Sequence, residues 1–112
     1  MSEKRLIDPQ SAVDYMVKTA PEYAKAKAER VYLEEYRKSK KAILMQNHAE
    51  KPIGAQEREA YASAEYLGVL AALRVAVEAE ETLRWKLVAA QARVEVWRSQ
   101  EASNRQVDRS AQ

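Results

Sequence analysis

The sequence has 112 residues with 32% charged, Gly 2, Pro 3, Phe 0 and Cys 0, a composition that excludes a turn-rich β-protein or a disulfide scaffold and matches long helices. The net charge of +2 is too small to imply or exclude a polyanionic partner. Without cysteine there are no thiolate metal ligands, and no 18-residue apolar run exists to span a membrane.

Residues 1–8 read as a flexible lead with no apolar core of a secretory signal, so a cytoplasmic location is expected. Asp8-Pro9 is a helix start, with Asp as N-cap and Pro in the first turn, where its missing N–H costs nothing. Val13, Met16 and Val17 predict a short amphipathic helix over 9–18. Thr19-Ala20-Pro21-Glu22 has the form of a capping box, and a long helix is predicted from 20 to 48. Its apolar side is read as Ala24, Ala28, Val31, Tyr32, Ser39, Ala42 and Ile43, with Tyr36 at the edge.

The stretch 49–54, AEKPIG, is the clearest break in the chain. A short helix over 55–62 follows, Ser63 is a second N-cap, and a long helix runs from 64 to 104, with 105–112 as a polar tail. This last helix carries the strongest pattern. Val69, Leu73, Ala76, Glu80, Leu83, Leu87, Ala90, Val94 and Trp97 recur at spacings of four and three, the mark of a heptad seam. A second row, Trp85, Val88, Ala92 and Val96, stands apart from it. The expected fold is all-α: a long antiparallel two-helix hairpin with a coiled-coil-like seam and a short N-terminal helix, forming one domain over 9–104. Folding back at Pro52–Gly54 sets Ile43 near Leu70 and Tyr36 near Val77. Val94 and Trp97 then extend past the first long helix, so either the Val13–Val17 segment folds over them or a second subunit covers them. The second is favoured, because the small residues of the first long helix cannot cover both apolar rows, and self-association is expected with Leu83, Trp85, Leu87, Val88, Val94 and Trp97 as interface residues.

On the first long helix, Lys27, Arg30, Arg37, Lys38 and Lys41 fall within one arc opposite the expected apolar side, and Tyr23 lies on the same face. Cations along one helix face can follow a phosphate backbone, and a tyrosine can stack a base. A merely solvated face gives the same pattern. Glu80 is a carboxylate in an apolar seam, and the expected register places the Tyr32 and Tyr36 hydroxyls near it. A register-setting residue accounts for it better than a catalytic acid. His48, the one histidine, stands at a helix end where it can bond the last carbonyls, and it has no companion ligand for a metal. No nucleophile–base set and no phosphate-binding glycine loop are present, so neither enzymatic activity nor a cofactor is expected.

At YAKAKAERVYLEEYRKSKKA (23–42) and LRWKLVAAQARVEVWRS (83–99) the sequence resembles a group of small helical proteins encoded by tailed bacteriophages and prophages. The resemblance spans most of residues 20–100 and assigns no functional residue. It implies an accessory protein working among replication or recombination functions in a bacterial cytoplasm. Together with the basic face read from the residues, the expectation is binding of single- or double-stranded DNA through that face. The rival is an oligomeric interaction module or inhibitor of a host or phage protein that binds no nucleic acid.

Overall fold

The computed structural model describes residues 8–111. Three helices account for nearly all of them: α1 (Pro9–Gln46), α2 (Ile53–Ala62) and α3 (Ala64–Ala111). Among the described residues there is no strand, and no single helix is long and apolar enough to cross a membrane.

The start of α1 is set by Asp8, whose Oδ1 accepts the Gln10 amide at 3.0 Å. The expected break near residue 20 does not occur. α1 is one helix with Pro21 inside it, and Thr19 is a buried helical residue, not a cap. Proline at position 21 removes the bond to the Val17 carbonyl, normally a cost of about 3 kcal/mol. Here Val17 is 70% exposed and Pro21 also faces solvent, so water can satisfy that carbonyl while the opposite side of the helix stays packed.

After α1, the chain turns through 47–52. The His48 amide bonds the Met45 carbonyl at 3.0 Å and the Lys51 amide bonds the His48 carbonyl at 2.9 Å. The Gln56 side chain donates to the Lys51 carbonyl at 2.8 Å, closing the turn onto α2. This helix starts at Ile53, two residues earlier than expected, and takes Gly54 into its first turn without a positive φ. Ser63 separates α2 from α3 and serves both. Its hydroxyl donates to the Ala60 carbonyl at 2.8 Å and accepts the Tyr66 amide at 3.1 Å, as an N-cap should. Past residue 104, α3 continues as helix to Ala111, because nothing in RQVDRSA breaks one.

Two compact units are formed. One comprises the described residues up to Tyr23 together with those from Thr82 onward. In it Ala12 and Thr19 of α1 and Ala90 of α3 are buried, while Leu83, Leu87, Val94 and Trp97 are partly buried. The N-terminal stretch of α1 therefore belongs to the same compact unit as these seam residues, the arrangement expected if the Val13–Val17 segment folds over them. Since α1 begins at Pro9, it is not used up before Trp97 is reached.

The other unit, Ala24–Glu81, holds the ends of α1 and α3 that flank the turn, together with α2. The two long helices run antiparallel here, since Arg30 meets Glu80 while Lys40 meets Glu65. Leu44, Ala60 and Tyr66 form its core, with Met45 and Leu70 packed on it. Burying a side chain the size of Leu44 contributes about 2 kcal/mol. On α3 the seam positions Val69, Ala76 and Glu80 are buried and Leu73 partly so, as the spacing predicts.

The side of α1 that packs is not the one expected. Ala24, Ala28, Val31, Tyr32, Ser39, Ala42 and Ile43 are exposed. The less exposed line in this unit is Ala26, Arg30, Leu33, Arg37, Lys40 and Leu44, again at alternating spacings of three and four. Its cations cover apolar surface with their methylene stems and carry their charge to the edge of the helix pair.

Candidate nucleic-acid interface

The helix end Arg37–Lys41 turns toward α2, because the turn at 47–52 folds α2 back beside it. Arg37, Lys38, Lys41, Ala42 and Met45 of α1 meet Tyr61 of α2 and Tyr66 of α3 around an open cleft of about 510 Å³. Tyr66 is buried and meets Tyr61 edge to face, with ring centroids 5.1 Å apart. Tyr61 is 45% exposed, and the Lys41 ammonium stands 4.7 Å from its ring centroid.

The cations differ in how far they are already committed. Lys41 lies 3.4 Å from the Glu57 carboxylate, and Lys38 lies 3.4 Å from Glu35, both loose pairs at the surface. The Tyr61 side chain, and after it the Glu57 carboxylate, raise the Lys41 ammonium above the ordinary lysine pKa against some loss from burial. Arg37 is partly buried yet forms no ion pair among the described residues. Lys40 points elsewhere, to Glu65 at 2.9 Å, and that hydrogen bond raises its pKa.

Of the residues expected to bind nucleic acid, Arg37, Lys38 and Lys41 are thus brought together. Arg30 is not among them. Its guanidinium is turned into the helix pair, where it holds Glu80 at 2.8 Å and Glu34 at 3.1 Å, and the Glu80 bond raises its pKa further. Lys27 is exposed but does not line the cleft, and Tyr23 occupies a partly buried position on α1. The reason is the changed facing of α1: the arc read as solvent-facing includes positions that pack. Tyr61, Tyr66 and Glu57 could not be foreseen, for no spacing links them to α1 and only the turn brings them near.

Glu80 meets Arg30, not the expected tyrosine hydroxyls. Tyr32 and Tyr36 instead stack on one another, with centroids 5.8 Å apart and planes 12° apart. A guanidinium bond to a carboxylate is charge-assisted and stronger than a phenol's, which favours the observed register. His48 bonds the end of α1 through its backbone amide, at Met45.

The residues expected at an oligomer interface divide in two. Leu83, Leu87, Val94 and Trp97 are partly buried within the chain. Trp85 and Val88 stay 57% and 43% exposed, in line with Val96, and Arg84 lies over the Trp85 ring at 5.0 Å. Among the described residues no group of three His, Asp or Glu could hold a metal ion. In comparison with known proteins, the chain matches no family model, no curated protein and no solved structure.

Proposed function

We propose that this chain is a non-enzymatic helical protein that binds nucleic acid through the basic end of α1. The supporting observation is the cleft itself, where Arg37, Lys38 and Lys41 border two tyrosines and Arg37 has no carboxylate partner among the described residues. Phosphates would replace the loose Glu57 and Glu35 pairings and release counterions as they bind. An accessory role in phage or prophage replication or recombination is the setting that the sequence resemblance implies.

The test is anisotropy of a labelled mixed-sequence oligonucleotide at several salt concentrations. Binding should weaken linearly on a log–log plot. Changing Arg37, Lys38 and Lys41 together to Gln should flatten that slope by roughly two, about 0.7 for each phosphate no longer neutralised on a single strand. Neutral Gln is the right replacement, because Arg37 and Lys41 are partly buried and Glu at 41 would face Glu57. No binding even at low salt removes this reading.

The second reading, a self-associating interaction module, is favoured by the exposed row of Trp85, Val88 and Val96. Sedimentation at tens of micromolar tests this second reading, and a clean monomer removes it.

A further inference from the structure

Granted nucleic acid as what the cleft binds, we propose that its occupant is an unpaired strand, with one base stacked on Tyr61 and the adjoining phosphates on Arg37, Lys38 and Lys41. The cleft has two kinds of wall. Its cations lie along α1, where Arg37 and Lys41 are four residues, about 6 Å, apart along the helix axis. Its aromatic wall is Tyr61, a half-exposed ring backed by the buried Tyr66. Polyanion binding by charge alone has no use for that second wall.

At rest the Tyr61 ring attracts the Lys41 ammonium, 4.7 Å from its centroid. An arriving phosphate offers Lys41 a full negative charge, and the ring face it leaves is free to receive a base. The tyrosine thus holds a cation in the empty state and a base in the bound one. A duplex can occupy only half of such a site. Its phosphates reach the cations, but its bases are paired and stacked inside and present no π-face to Tyr61. Base–aromatic stacking is sequence-tolerant, so the preference concerns strandedness and not sequence.

The test uses the full chain with a thymidine oligomer and a mixed-sequence duplex of equal length, both at low salt. The single strand should bind more tightly, and Tyr61→Leu should remove about tenfold of that affinity while leaving duplex binding unchanged. Tyr61→Phe should keep the preference, because the ring remains. Photocross-linking with a bromouridine-substituted single strand gives a readout independent of any substitution, and the adduct should map to Tyr61. Equal affinity for the two forms, no effect of Tyr61→Leu, or a cross-link at Trp85 overturns the single-strand inference while nucleic-acid binding stands. Absence of binding to either form overturns both.

Discussion

The Nε of Arg30 lies 2.8 Å from one carboxylate oxygen of Glu80 and 3.2 Å from the other, while a second nitrogen of the same guanidinium reaches Glu34 at 3.1 Å. Glu80 is only 6% exposed and interrupts an otherwise apolar seam. A buried carboxylate without a cation is costly, so this pair favours one register of α1 against α3 and penalises its slips.

That role distinguishes single from double substitution. Glu80→Leu or Arg30→Met alone should lower the melting temperature, because each removes the charge-assisted bond between the two helices. Both together should recover most of the loss, because two apolar side chains of similar size can pack where the pair stood. Thermal melts of the three variants decide it. A double variant worse than either single one would mean the pair contributes more than it costs to bury.

The two apolar rows of α3 should respond differently to charge. Leu87 is partly covered within the chain, so Leu87→Asp should destabilise the unit by about 2–4 kcal/mol. Val96 is 47% exposed, so Val96→Asp should leave the single chain's stability within about 0.5 kcal/mol. Any dimer or larger species seen by light scattering should disappear with Val96→Asp if the Trp85 row mediates it. Assembly that survives this change must use another surface.

Glu57 competes with phosphate for Lys41, from 3.4 Å away. Glu57→Gln should therefore tighten nucleic-acid binding by about two- to fivefold at low salt, with the gain shrinking as salt rises. Unchanged affinity would show that Lys41 does not engage the ligand.

Lys40 gives the fold a dependence on alkaline pH. Its bond to Glu65 raises its pKa above the ordinary lysine value of 10.5, so the folded chain holds that proton more tightly than the unfolded one. The resulting stability is fully present below 10.5 and fades as pH rises through the higher folded value. Wild type should melt above Lys40→Met at pH 8, and the gap should narrow on going above the ordinary lysine pKa. A gap that is constant with pH would assign the effect to the lysine stem.

The sequence alone determined what depends on neighbours along the chain. Asp8 and Ser63 cap the helices they precede, and the seam from Val69 to Trp97 is the less exposed side of α3, because branched and aromatic side chains at a fixed spacing have one way to leave water. What tertiary structure decided concerns α1. Pro21 signals a helix start locally, yet the helix passes through it, since Ala12 and Thr19 are buried on one side while Val17 faces water on the other. The facing of α1 was equally hidden. Arginine and lysine count as polar in any periodicity, but Arg30 and Lys40 pack by their stems once Glu80 and Glu65 stand opposite. The cleft follows from the same cause: Lys41 meets Tyr61 only because the turn at 47–52 folds α2 back on α1, bringing together side chains that no local pattern relates.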